Sequence, residues 1–200
     1  DYDNGNLRIE HRLVPYKVPP FTLPFNLAAL MYLAGSTGAG RLATSLQSAM
    51  PVHSERIALS YDWVRLVEAV PKGIGQVYLA DNTWAGVIML VGMAVCSPIA
   101  AMAATVGSSI GILTAISVGA DPDAVYAGIW GYNAALGAIT VGGMFYVMTL
   151  ECVPFAAVCA VMCAMTGPFC AAMLSPAGVP AMTFPFCMVA LVFYLSQGSM

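Results

Sequence analysis

From Asn82 to the last residue the only charged side chains are Asp121, Asp123 and Glu151, and every Lys and Arg lies at or before Lys72. No water-exposed domain surface can be assembled from such runs. Each is long enough to hold one or more membrane spans of about 20 residues. The composition agrees: 60% of the residues are apolar and 8% charged, against about 25% charged in an ordinary soluble domain. Mean hydropathy is +0.80. The expected fold class is an all-α integral membrane protein that crosses the bilayer several times, with lipid as a partner. The apolar segments are several and lie far from the N-terminus, so they do not read as a signal peptide. A formal net charge of -3 with few basic residues argues against nucleic acid as a partner. Asp1 stands without an initiator Met or a basic leader, so the chain reads as a piece of a longer protein or a processed one.

Side chains that carry chemistry are sparse. Cys96, Cys152, Cys159, Cys163, Cys170 and Cys187 all lie in apolar stretches, and none forms a CxxC or zinc-like spacing. They read as small buried hydrophobes. His11 and His53 sit in polar segments away from them. The sequence holds no HExxH, no Ser–His pair and no paired intramembrane carboxylates. Neither a metal, nor a cofactor, nor enzymatic activity is expected.

The apolar stretches are interrupted. Residues 18–36 carry Pro19, Pro20 and Pro24. A helix past Pro24 is expected to stop before Gly35-Ser36-Thr37-Gly38, under about 20 Å and too short for a hydrocarbon core of about 30 Å. A polar middle follows over 37–72, and Ala58 to Val70 within it has the pattern of an amphipathic helix. Apolar helices are expected over 83–97 and 98–118, the second carrying Gly107-x-x-x-Gly111, a close-packing motif suited to a subunit contact. Asp121-Pro122-Asp123 reads as a helix start, with a carboxylate cap and Pro at the first helical position. The stretch 122–150 would measure about 43 Å as one helix, so a break is expected near Gly131-Tyr132-Asn133. Further apolar segments cover 153–174 and 179–196. Trp84 and Trp130 suit the membrane interface, and Glu151 a membrane edge. Backbone freed from a helix cannot face lipid and must face protein or a water-filled path. A chain with several such breaks reads as a conduit rather than an anchor.

The strongest signal is a repeat. Residues 18–26 read VPPFTLPFN and residues 179–187 read VPAMTFPFC, sharing V-P-x-x-T-x-P-F. Duplicated broken helices point to a transport site at a repeat interface. In each copy a proline suits the first helical turn, where no amide donor is needed. Thr22 and Thr183 stand just before it, beside the positive end of a helix. Taken alone, each threonine could merely bond back to a carbonyl at a proline kink; the duplication favours a shared role.

At these residues the chain resembles the urea transporter family. Its signature matches the duplicated motif, with Val in both copies where the family usually has Leu. GIGQVYLADNTWAG (73–86), GIWGYNAALG (128–137) and GGMF (142–145) match further motifs. The resemblance implies an inverted-repeat channel fold with broken, re-entrant half-helices, assembled as a homotrimer in the plasma membrane and conducting urea passively. Residues 1–36 would end the first repeat, 37–72 would be the polar linker, and 73–200 the second repeat. By motif, Gln76 corresponds to the filter oxygen and Val77 to the wall beside it. Tyr132 and Leu136 correspond to the aromatic and leucine flanking a flattened slot, and Thr22 and Thr183 to the paired signature threonines. The family often has Phe where Tyr132 stands, so the extra hydroxyl needs a partner. Read alone, Gln76 could instead cap a helix or bond across helices, and Tyr132 could simply pack.

Urea is planar and neutral, with N–H donors and one carbonyl. Flat apolar walls can hold its faces, while oxygens from Gln76, Thr183 and Thr22 accept its amide hydrogens. This offsets part of the roughly 2–7 kcal/mol lost per unpaired polar group on leaving water. The alternative is an ion-coupled secondary transporter of a small amide-like solute. It would want a carboxylate or histidine within the membrane, and Asp121, Asp123 and Glu151 all read as terminal.

Overall fold

The computed structural model describes residues 21–38, 61–145, 152–177 and 179–196, and every regular element among them is helical. The helices are α1 (Leu23–Gly38), α2 (Trp63–Gln76), α3 (Thr83–Cys96), α4 (Pro98–Ser117), the short α5 (Pro122–Tyr126), α6 (Gly131–Ile139), α7 (Cys152–Leu174) and α8 (Phe184–Ser196). A π-helical turn, Thr140–Phe145, prolongs α6, and a 3₁₀ turn, Ser175–Ala177, follows α7. His11, His53, Glu151, Pro19 and Pro20 lie outside the described residues, as does most of the polar linker.

Among the described residues two helices are long and apolar enough to cross a bilayer, Pro98–Ser117 with 20 residues and Cys152–Leu174 with 23. Leu23–Leu33, Thr83–Cys96 and Phe184–Leu195 are shorter apolar helices. Outward faces are greasy: Val95, Val106, Leu113, Phe169, Val192 and Leu195 are all exposed. Hydroxyls inside these apolar helices bond to their own backbone. Thr105, Ser109, Thr114, Thr140 and Thr166 each donate to the carbonyl four residues earlier, at 2.7–2.8 Å. Such back-bonding lets a polar side chain sit in an apolar helix without an unsatisfied donor.

Helix starts follow the local chemistry. Asp62 caps α2 by accepting from Val64 N at 2.9 Å. Ser97 accepts from Ala100 N at 3.3 Å to cap α4, while its own amide donates to Met93 O at 2.7 Å and closes α3. Asp121 accepts from Ala124 N at 3.2 Å, with Pro122 at the first helical position. The amphipathic helix expected over Ala58 to Val70 starts at Trp63 and runs on through Pro71 to Gln76 as α2, burying Leu66, Ala69 and Gly73; residues 58–60 lie outside the described residues. At its polar end Asp62 N donates to Tyr126 Oη at 2.8 Å, Tyr61 Oη to Ala120 O at 3.1 Å, and Arg65 lies 4.0 Å from the Tyr126 ring centroid. Burial, with Tyr126 and Asp121 nearby, raises the Tyr61 phenol above its ordinary pKa.

Several expectations need revision. Helix α1 continues through Gly35 to Gly38, because glycine costs only about 1 kcal/mol in a helix and does not by itself end one. The break in the long apolar stretch falls at residues 127–130, ahead of Gly131, where Gly128 adopts φ +75°. Trp130 is buried, 8% exposed, against α4 rather than at an interface; Trp84 is exposed. Gly107-x-x-x-Gly111 packs within the chain. A Cβ at Gly107 would stand 2.6 Å from Ala138 Cβ, and one at Gly111 2.9 Å from Ala134 Cβ. These small residues let α4 and α6 lie against each other backbone to backbone.

Candidate functional site

The two copies of the repeated motif fold alike. Helices α1 and α8 begin one residue after Thr22 and Thr183, and the residues before those threonines, Phe21 and Met182, hold φ of 48° and 49°. Non-glycine residues seldom take this left-handed conformation. Asn26 N donates to Thr22 O at 2.9 Å and Cys187 N to Thr183 O at 3.1 Å, so each threonine carbonyl receives the first helical bond. Pro24 and Pro185, one residue into each helix, forfeit no bond there.

The two starts meet. Thr22 Oγ1 lies 3.0 Å from Thr183 Oγ1 and 3.1 Å from Cys187 Sγ. Asn26 Nδ2 donates to Thr22 Oγ1 at 3.2 Å and reaches Cys187 Sγ at 3.5 Å; Thr183 Oγ1 donates to Asn26 Oδ1 at 3.0 Å. Asn26 and Cys187 hold the same place in their copies of the motif. The contacts are therefore reciprocal, threonine to threonine and each threonine to the other copy's residue four places on. A two-fold relation between the copies would produce contacts of this kind. Two helix N-termini, each with a partial positive charge, converge on uncharged oxygens. The hydroxyls are too close for a molecule to fit between them.

Tyr132 joins this cluster. Its hydroxyl donates to Met182 O at 2.6 Å, beside Thr183, and Asn133 Nδ2 donates to the same carbonyl at 3.3 Å. The hydroxyl absent from a Phe thus finds its partner, and Asn133 satisfies bent backbone. Asn133 Oδ1 is buried without a partner. Leu136, one turn after Tyr132, and Phe21 both pack against the buried cluster that holds Val141, Phe186 and Cys187, and Phe21 meets Phe186 edge-on at 5.8 Å. Tyr132→Phe should lower stability by about 1 kcal/mol, one neutral hydrogen bond, because Asn133 keeps Met182 O paired. Thermal unfolding in detergent measures it.

Gln76 ends α2 at a different point of the structure. Its Nε2 donates to Ala127 O at 3.1 Å, in the turn before the helix that carries Tyr132. A carbonyl only accepts, so the atom facing Ala127 must be the amide nitrogen, which leaves Oε1 as an acceptor with no partner among the described residues. Val77 caps the same helix, its amide donating to Ile74 O at 3.4 Å, and is half-buried. The structure thus joins Thr22 and Thr183 directly, sets the Tyr132 hydroxyl on the carbonyl just before Thr183 and Leu136 on the cluster that holds Cys187, and links Gln76, with Val77 beside it, to the turn that leads into the helix of Tyr132. Sequence reasoning passed over Asn26 and Cys187. The signal that could have found them is their shared place at the end of each motif copy.

Residues 7–198 match the model of a family described as Urea transporter. Urea transporter 1 of Ovis aries is 35% identical over 189 residues, covering 92% of this chain and 48% of that protein. Urea transporter 1 of Rattus norvegicus is 34% identical over 185 residues, 90% of this chain and 47% of its own. That of Mus musculus is 35% identical over 190 residues, 92% and 48%. The chain spans about half the length of these curated relatives.

Proposed function

Because the chain belongs to the urea transporter family, we propose that, within a longer protein, it forms part of a passive path for urea across a membrane. The observation that carries this reading is the meeting of Thr22, Thr183 and Tyr132 at two converging helix starts. Residues 1–36 and 73–200 would belong to two inverted repeats, a reading supported by the reciprocal contacts. The whole protein would be a multi-pass homotrimer of the plasma membrane.

In this mechanism a urea molecule passes flat against Tyr132 and Leu136. Gln76 Oε1 accepts an N–H at one station and Thr183 Oγ1 at another. Neither station is charged, so each binds weakly enough to release the solute to the next. Cations are repelled by the two helix N-termini, and ions of either sign find no countercharge to offset dehydration. No proton or sodium has to move with the solute. Asp121 is engaged as a helix cap and Asp123 lies in the first turn of the same short helix, places that serve α5 rather than the coupling of an ion.

Stopped-flow urea efflux from proteoliposomes holding the complete protein tests this. Gln76→Ala and Thr183→Val should each slow efflux about tenfold per folded protein, the effect of losing one acceptor on a path without water. Parent efflux should ignore pH and sodium gradients. Unchanged efflux in well-folded variants would remove these side chains from the path, and a gradient-driven flux would establish ion coupling instead.

A further inference from the structure

Hydrogen counting in the threonine cluster leads beyond the two signature hydroxyls. Thr183 gives its only hydroxyl hydrogen to Asn26 Oδ1 at 3.0 Å. The Thr22–Thr183 contact at 3.0 Å then needs its hydrogen from Thr22. Asn26 Nδ2 returns a hydrogen to Thr22 Oγ1 at 3.2 Å. Three bonds close a ring, Thr22 to Thr183 to Asn26 and back, in which each bond polarises the next. Reversing the Asn26 amide reverses the ring but leaves both hydroxyl hydrogens inside it. Asn26 is fully buried, so water does not compete for its amide. With Thr22's hydrogen committed, the 3.1 Å contact with Cys187 is a thiol donating to Thr22 Oγ1. Thr22 then accepts twice and is saturated, whereas Thr183 accepts once and keeps one lone pair.

We propose that Asn26 is a positioning residue that locks both threonine hydrogens into this ring, so that the pair meets a solute only as an acceptor, through Thr183. Cys187 assists by filling the second lone pair of Thr22. The inference rests on the proposed urea path and deepens it: it explains how hydroxyls, which can both donate and accept, select for N–H groups. Without the ring a hydroxyl hydrogen is free to turn towards the solute, where it opposes an N–H and favours a carbonyl.

The near two-fold arrangement supplies the test. Asn26→Cys leaves a thiol on both sides and opens the ring; adding Cys187→Asn restores an amide from the other copy and closes it in the opposite sense, which keeps the pair acceptor-only and moves the open lone pair from Thr183 to Thr22, 3.0 Å away. Efflux of urea is compared with that of acetamide, a planar isostere with half the N–H donors, using the complete protein in proteoliposomes. In Asn26→Cys the urea-to-acetamide ratio should fall about fivefold, the scale of one neutral hydrogen bond, and the double exchange should bring it back. A merely structural role would lower both fluxes together and leave the ratio unchanged, which overturns the proposal, as does a double exchange that fails to rescue. If Asn26→Cys does not fold, Asn26→Ser carries the same ratio test. Independently of transport, the S–H stretch assigned by Cys187→Ala should move to higher wavenumber in Thr22→Val; an unmoved band overturns the ring's proton order. Parent protein that passes no urea overturns the functional reading and this inference with it, whereas normal parent flux with an unaltered ratio overturns the inference alone.

Discussion

Gly86→Val should abolish recovery of folded protein. Helix α3 crosses α2 at Gly86, and a Cβ there would overlap the carbonyl oxygen and carbon of Pro71 and lie 3.2 Å from Pro71 Cα. All three obstacles are backbone, so no rotamer change relieves them. The helices would have to separate, and α2 is also tied by Ser108 Oγ donating to Val70 O at 2.9 Å and by Gln76. Overpacking a core costs about 1–3 kcal/mol when side chains can shift; against fixed backbone about 3 kcal/mol or more is expected. The readout is the monodisperse peak in size-exclusion chromatography, which should vanish. Gly92 is the control: a Cβ there meets nothing within 4 Å, so Gly92→Ala should elute normally and gain slightly in helix propensity. A normal peak for Gly86→Val would refute the described crossing of α2 and α3.

Gly128→Ala has the second largest expected effect, for two separate reasons. At φ +75° an L side chain costs about 1–2 kcal/mol. The added methyl would also overlap Gly73 N and stand 2.8 Å from Gly73 Cα. The next residue back, Ala127, holds the Gln76 amide. Pushing the turn away from α2 therefore releases Gln76 as well as weakening the fold. Thermal stability should drop, and urea efflux per folded molecule should drop with it. Stability lost with efflux per folded molecule intact would separate this turn from the path.

Much of the fold was legible because its signals are local. Asp121-Pro122-Asp123 announces its helix start through caps and the missing proline donor, and α4 ends within a residue of the expected place. The threonines were legible because a duplication carries its own evidence. What escaped depends on contacts between distant segments. Trp130 has an interface residue's chemistry, and only its burial against α4 makes it core. The break before Gly131 is set where Gly128 meets Gly73, a contact no spacing reveals. Gly107 and Gly111 announced close packing without naming the partner, which is α6 of the same chain. Asn26 looked like a helix residue until the second motif was brought against it.

Ser108 on α4 stands against both Gly73 of α2 and Gly131 of α6. A methyl on Gly73 would stand 2.6 Å from Ser108 Oγ, and one on Gly131 2.5 Å from the same atom. Changes at these three positions therefore cannot be independent. A lineage that enlarges either glycine meets first the serine hydroxyl, which must turn aside or be lost, and then the other glycine's Cα at 3.2–3.3 Å. Drift at this junction is therefore concerted, three positions on three helices changing as one.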